Sequence, residues 1–140
     1  YPGRVSELHR MRIAAKHLRY SIEAFEPLYG DTLSKPLKAA KTVQEMLGDV
    51  HDCDVWTACL PVMLEQEKAR AIDFSGNARA VATLKPGFDA LARDRAEFRG
   101  KRYHEFLAFW DKNSSIWRKL FESLAAPRPG TPEDHAQGAA

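Results

Sequence analysis

HRMRIAAKHLRY, residues 9–20, is the stretch of this chain that decides its fold. At about 100° of rotation per residue, one arc of a helix collects the apolar residues Leu8, Met11, Ala15, Leu18, Ile22, Phe25 and Tyr29. Ile13 and Tyr20 fall elsewhere, on the far side of a basic row. A row of basic residues at helical spacing lies directly beside the arc: His9, Arg12, Lys16 and Arg19. On a helix that simply faces water, charged residues usually lie opposite the apolar arc. The basic row therefore indicates a binding surface.

Cations in one helical row repel each other, by roughly a few tenths of a kcal/mol for each adjacent pair. Glu23 relieves part of this repulsion, because it lies one turn after Arg19 and can pair with it. Without an anion the rest of the row is a local conflict, and such conflicts are expected at functional sites.

Two further helical patterns bring cations to the edge of an apolar arc. Lys38 and Lys41 border the apolar arc of the second predicted helix, close to Gly48 and followed by His51. A later helix carries a third set on or beside its aromatic stripe: Arg95, Arg99 and Arg102. An unpaired buried charge costs several kcal/mol. Either these arginines share an anion with the other helices, or they extend along the core edge to water.

The chain divides into helical patterns separated by breaker residues. They cover about residues 6–29, 34–49, 52–71, 86–111 and 116–125. No segment alternates with a period of two, so we predict an all-α fold: an antiparallel bundle of four main helices plus a short C-terminal helix. This bundle occupies residues 1–126. Residues 127–140 are rich in Pro, Gly and Ala, and we predict a disordered tail there.

Composition narrows the choice of function classes. The chain has 140 residues and a formal net charge of +2, so any basic site must arise from local segregation of charge.

The two cysteines, Cys53 and Cys59, are not spaced as a CxxC pair; we read both as reduced, with Cys59 as a core residue. No signal peptide or transmembrane run is visible, which favours a cytoplasmic protein. Neither a cofactor site nor a metal site is expected.

Residues 9–20, continued through Glu23 and Phe25, resemble the signature helix of CHAD domains, a family named for conserved histidines in an α-helical domain. The segment from Leu37 to Val55 is similar to the second motif of that family, LKxxQxxLGxxxDxxV. The resemblance implies a helical bundle with a basic cavity that binds inorganic polyphosphate without catalysis. Carried over to this chain, the polyphosphate contacts are His9, Arg12, Lys16, Arg19, Lys38 and Lys41. From the helical pattern alone we add Arg95, Arg99 and Arg102.

CHAD domains usually contain two related four-helix bundles with the basic pore between them. Only one set of motifs is visible here, and it resembles the C-terminal half. Either an N-terminal half completes the pore, or two copies of this chain pair to rebuild it. The resemblance further implies a location in the cytoplasm, in association with polyphosphate granules.

Three other functions are compatible with the sequence. A metal-dependent phosphohydrolase of HD type would use His9, the pair His51-Asp52, and Asp111 as ligands of a divalent ion. An RNA-binding helical module would use the same cations on a different phosphate backbone. A protein-interaction bundle would bind no phosphate at all.

Overall fold

The computed structural model describes residues 4–125, and this part of the chain is almost entirely helical. Helix α1 spans Val5–Tyr29, and a 3-10 turn over Gly30–Leu33 leads into helix α2, Ser34–Ser75. A short helix α3, Arg79–Ala82, precedes the long helix α4, Lys85–Ala125. Within residues 4–125 there is no β-strand, so the predicted all-α class is confirmed. The predicted tail at 127–140 lies outside the described residues.

The predicted number of helices is wrong, because two of the expected breaks do not exist. The second and third predicted helices form the single 42-residue helix α2. Gly48 and Asp49 have weak helix propensity, but Leu47, Val50 and Cys53 carry one buried stripe straight through this region. Burial of that stripe outweighs local propensity, which amounts to about 1 kcal/mol for a glycine.

The second missing break lies in α4, which runs for 41 residues through Asn113 and Ser114. The Asn113 amide donates a hydrogen bond of 2.8 Å to the Phe109 carbonyl oxygen, and the Ser114 hydroxyl donates one of 3.1 Å to that of Asp111. These polar side chains therefore bond back onto their own helix instead of ending it. The apolar stripe continues beyond them with the buried Trp117.

Helix α2 is the central element and packs against both α1 and α4. It is antiparallel to α1, since His9 meets His51 near one end and Glu23 meets Lys41 near the other. The side chains of α2 that face α1 and those that face α4 belong to one hydrophobic core. Its buried members include Ala15, Ile22, Val43, Leu47, Phe106, Trp117 and Leu120.

Helix α1 covers only the first part of α2. Because His9 lies opposite His51 and α1 begins at Val5, the α1 cover ends near residue 55 of α2. Beyond that point α2 and α4 continue as a two-helix hairpin with many exposed apolar side chains. None of the described helices is both long and apolar enough to cross a membrane.

The cysteines have the opposite burial from that expected: Cys53 is buried and Cys59 is exposed. Both are free thiols. Burial raises the pKa of the Cys53 thiol, and nearby Arg95 partly opposes this shift. Cys53 is therefore a core residue with an unreactive thiol, and Cys59 belongs to the exposed face of the hairpin.

Candidate functional site

The basic row of α1 faces α2 at Gly48. A Cβ atom added at Gly48 would lie 4.0 Å from the Nε atom of Arg12, with no other side chain nearer. The glycine therefore leaves a recess on α2 in which the Arg12 side chain lies half-buried. We call the surface formed by His9, Arg12, Lys16, Arg19, Lys41, Gln44, Gly48 and His51 the α1–α2 cleft.

Two histidines from different helices meet at one end of the cleft. The ring centroids of His9 and His51 are 4.7 Å apart, with an angle of 43° between the ring planes. The Nδ1 atom of His51 is buried and has no hydrogen-bond partner among the described residues. Two imidazolium rings at this separation would repel each other unless an anion lay beside them. The pair is thus suited to an anionic ligand.

Glu23 closes the other end of the cleft and links cations from both helices. Its carboxylate lies 3.7 Å from Arg19 on α1 and 3.2 Å from Lys41 on α2. The Arg19 guanidinium also lies over the Tyr20 ring, 4.5 Å from its centroid, and the Lys16 ammonium lies 5.7 Å from the same ring. Glu23 therefore neutralises one end of the row and leaves the middle of the row cationic.

The middle of the cleft contains polar atoms that are buried and unsatisfied. The Nε atoms of Arg12 and Arg19 and the Oε1 atom of Gln44 have no hydrogen-bond partner among residues 4–125. Leaving a charged donor buried and unpaired costs about 1–3 kcal/mol or more. Within the same residues Arg12 and Lys16 form no ion pair, although both are half-buried. An oxyanion in the cleft would accept hydrogen bonds from the two arginine Nε atoms, whereas the Gln44 Oε1 atom is an acceptor and would need a donor.

Lys38 lies outside this arrangement. It is exposed on α2, about one turn before Lys41, and no contact in the described part of the chain joins it to α1. It borders a recess between α2 and α4, beside Phe109 and Asn113, and not the α1–α2 cleft.

The arginines of α4 lie on a different seam, between α2 and α4. Arg99 forms an ion pair of 2.5 Å with Asp54, and the two side chains are only 12% and 13% exposed. Arg102 contacts Asp49 at 2.6 Å and Glu105 at 2.8 Å. Both arginines are thus already neutralised by carboxylates that hold α4 against α2.

The third α4 arginine is also paired. Arg95 lies 2.5 Å from the carboxylate of Asp94 and sits over the Phe98 ring, 5.4 Å from its centroid. The hydrogen bond that Arg95 donates to Asp94 raises the pKa of Arg95, and the one that Arg102 donates to Glu105 raises the pKa of Arg102. No described contact joins any of the three α4 arginines to the α1 row.

Sequence reasoning left three members of this site out of the predicted set. His51 and Gln44 lie on the same line of α2 as Gly48, so helical spacing could have placed both of them beside the α1 row. Glu23 was expected to pair with Arg19, but its contact with Lys41 joins residues of two helices and needs the tertiary structure.

The ligand set of an HD-type metal site does not assemble. Across the described residues, no group of three or more His, Cys, Asp and Glu side chains is placed to hold a metal ion. His9 and His51 do meet, but their neighbours are Arg12 and Gly48. A cationic neighbour disfavours a bound metal cation.

These features define a class: an all-helical protein whose antiparallel helices form a cleft lined by cations, of which Arg12 and Lys16 have no ion pair among the described residues. Comparison with protein families adds that the model of the CHAD domain matches residues 2–61, which confirms the resemblance over that stretch. The matched stretch contains every α1 and α2 residue of the cleft and none of the α4 arginines. No curated protein and no solved structure matches this chain.

Proposed function

We propose that the α1–α2 cleft binds inorganic polyphosphate. The observation that carries the proposal is the state of Arg12 and Lys16, two half-buried cations without a carboxylate partner in the described chain. By contrast, the arginines of similar burial on α4 all pair with Asp or Glu. Cations that a fold leaves unpaired in a recess are available to an external anion.

The linear shape of the basic row favours a linear anion. From His9 to Arg19 the row extends about 15 Å along α1, at 1.5 Å per residue. Successive phosphates of a chain could contact successive side chains, with arginine donating two parallel hydrogen bonds and lysine acting as a point charge. Each contact also releases counterions from the polyanion, so several weak contacts add to one substantial affinity.

We propose different tasks for the predicted site residues. His9, Arg12, Lys16, Arg19 and Lys41, together with His51 and Gln44, form the proposed ligand surface. Arg99 and Arg102 instead pair with the α2 carboxylates of Asp54 and Asp49, and Arg95 pairs with Asp94 on its own helix. We propose binding without catalysis, because the described residues form no metal-ligand group that could activate water for attack on phosphate.

The cleft is open to solvent, since His9 and Lys41 are both exposed. A polyphosphate chain would be more completely surrounded if a second basic surface lay opposite. We propose that either a second copy of this chain or a related N-terminal half supplies it, and that the protein works in the cytoplasm with polyphosphate granules.

The test is a binding titration with polyphosphate chains of defined length. In a variant with Arg12, Lys16 and Arg19 all changed to Ala, we expect affinity to fall roughly a hundredfold or more, because charge-assisted hydrogen bonds contribute about 1.5–3 kcal/mol each. The fold should persist, since this variant also removes mutual repulsion. Circular dichroism and thermal melting would verify that.

The matched control removes the same formal charge elsewhere: Arg10, Lys112 and Arg118, all exposed, changed together to Ala. This control should lose only the small part of the affinity that depends on net charge. Equal losses in both variants would mean nonspecific attraction and would refute the cleft as the site. RNA that displaces polyphosphate at equal phosphate concentration would favour the RNA-binding alternative.

A further inference from the structure

Helix α2 carries an exposed stripe that begins beside His51, where α1 still covers α2, and continues past the end of α1. Its members alternate at spacings of four and three residues, and every one of them is exposed: Asp52, Trp56, Cys59, Met63, Gln66 and Arg70. We call this set the α2 stripe. From Trp56 onward it lies on the α2–α4 hairpin, against which the short helix α3 also packs.

Alternating spacings of four and three keep side chains on one seam of a helix, which is the pattern of helices that pack against a partner helix. The two large apolar side chains of the stripe, Trp56 and Met63, are 44% and 43% exposed. On the same hairpin, α4 and the residue before it add an exposed apolar row at seven-residue spacing: Leu84, Leu91 and Phe98. A hairpin of two helices with uncovered apolar rows gains stability by burying them against another helical surface.

The α2 stripe is complementary to itself. Its spacings read the same in both directions around Pro61, which lies on the other side of the helix. If a second α2 lies antiparallel with a two-fold axis at Pro61, Asp52 faces the partner subunit's Arg70, Trp56 faces the partner subunit's Gln66, and Cys59 faces the partner subunit's Met63. A parallel arrangement would instead place Asp52 on the partner's Asp52.

The charges at the two ends favour the antiparallel arrangement. Asp52 forms no ion pair within the described chain. Arg70 pairs only with Glu67, three residues earlier on the surface, and its side chain is 74% exposed. Two-fold symmetry would make the Asp52–Arg70 pair twice, once at each end of the apolar centre.

We infer that two copies of this chain associate through the α2 stripe, with their α2 helices antiparallel about Pro61. The two hairpins then form a four-helix arrangement, with the large side chains Trp56 and Met63 at its centre. The stripe begins one residue after His51, so the second copy lies next to the α1–α2 cleft. The association itself does not require polyphosphate.

The experiment measures mass by light scattering and sedimentation in buffer free of phosphate polymers. The unmodified chain should show twice its 15.8 kDa mass, falling toward 15.8 kDa on dilution. Met63→Glu should give the monomer at all concentrations. Ile72→Glu is the matched control, because Ile72 is on the same helix and 51% exposed but lies away from the stripe, and it should remain dimeric.

A charge exchange tests the register. Asp52→Arg alone and Arg70→Asp alone should each weaken dimerisation about tenfold, because each places like charges opposite one another at both ends of the interface. The double variant D52R/R70D should restore the dimer to near its original strength. Restoration requires that the two positions face each other across the interface.

Three results would overturn the inference: a monomeric unmodified chain, a dimer that tolerates Met63→Glu, or a double variant as weak as the single ones. None of them affects the polyphosphate proposal, which is measured separately by titration. Conversely, a dimer that binds no polyphosphate would uphold the α2 stripe and reject only the function of the cleft.

Discussion

Gly48 shows how the absence of one side chain shapes the α1–α2 cleft. The Arg12 guanidinium occupies the space beside this glycine, and its Nε atom is 4.0 Å from where a Cβ atom would stand. That distance is an ordinary van der Waals contact, so a methyl group is tolerated. A longer side chain at position 48 would compete with the proposed ligand for the space beside Arg12.

Substitutions at Gly48 should separate stability from binding. Gly48→Ala should raise the free energy of unfolding by about 0.5–1 kcal/mol, since alanine restricts the unfolded chain and favours the helix. Its polyphosphate affinity should stay near that of the unmodified chain. Gly48→Glu should place a carboxylate beside Arg12 and weaken polyphosphate binding at least about tenfold, because the new carboxylate would pair with the Arg12 guanidinium.

Urea unfolding and the polyphosphate titration provide the two measurements. If Gly48→Glu bound as tightly as Gly48→Ala, Arg12 would not be a ligand contact. Position 48 thus tests the proposed site at the scale of one residue. The Glu variant tests polyphosphate affinity, and the Ala variant is the control for the fold.

At the scale of elements, the arginines at the α2–α4 seam differ from those of the proposed ligand site in having carboxylate partners on another helix. Arg99 and Asp54 form an ion pair in which both side chains are nearly buried, and Arg102 is held between Asp49 and Glu105. Sequence periodicity grouped these arginines with the α1 row, because both sets border an apolar arc. The difference lies in their partners, which come from another helix about fifty residues away.

Breaking the Arg99–Asp54 pair should therefore cost stability and not binding. Arg99→Met keeps the aliphatic bulk but leaves the Asp54 carboxylate unpaired, and we expect the free energy of unfolding to fall by about 2–4 kcal/mol. In the Arg99→Met variant, a second substitution, Asp54→Asn, should recover part of the lost free energy of unfolding. Polyphosphate affinity should not change.

The matched control is Arg95→Met, because Arg95 pairs with an exposed neighbour on its own helix and should contribute little to stability. Denaturant unfolding at neutral pH measures each variant. If the folded Arg99→Met variant clearly lost polyphosphate affinity, the result would indicate that the α4 arginines contact the ligand.

At the scale of the whole molecule, charge is segregated although the total is small. The formal net charge is only +2, yet Arg12 and Lys16 lie half-buried in the cleft without an ion pair among the described residues, whereas the half-buried arginines of α4 pair with carboxylates. A local field of this kind attracts a polyanion even when the whole chain is close to neutral.

The histidine pair should make that field depend on pH. Protonation turns an imidazole into a cation, and a bound phosphate stabilises the charged form. Polyphosphate affinity should therefore rise as the pH is lowered from neutral to mildly acidic values, since protonated rings add positive charge beside the anion. In a variant with His9 and His51 both changed to Gln, the rise should disappear while binding at higher pH persists.

Titrations at constant ionic strength across this pH range measure the effect. His104→Gln is a matched control, because His104 is exposed on α4 and far from the cleft along the sequence, with its ring bonded to the Gly100 carbonyl. A pH profile unchanged in the double variant would show that the histidine pair does not contact the ligand.

The sequence by itself determined the helical class, the extent of α1 and the basic row at its edge. These depend on spacing within a few turns, which a helix sets locally. The same local rules misjudged Gly48-Asp49 and residues 112–115 as breaks. Burial of Val50, Cys53 and Trp117 against other helices keeps α2 and α4 continuous there.

Only the tertiary structure decided which charges are available. Arg12 and Arg99 look alike in the sequence, each at the margin of an apolar stripe. Arg99 meets Asp54 across forty-five residues, whereas Arg12 meets a glycine and remains unpaired. Whether a cation is neutralised depends on which side chains the packing of distant helices brings within a few ångströms, and spacing along one helix carries no record of that.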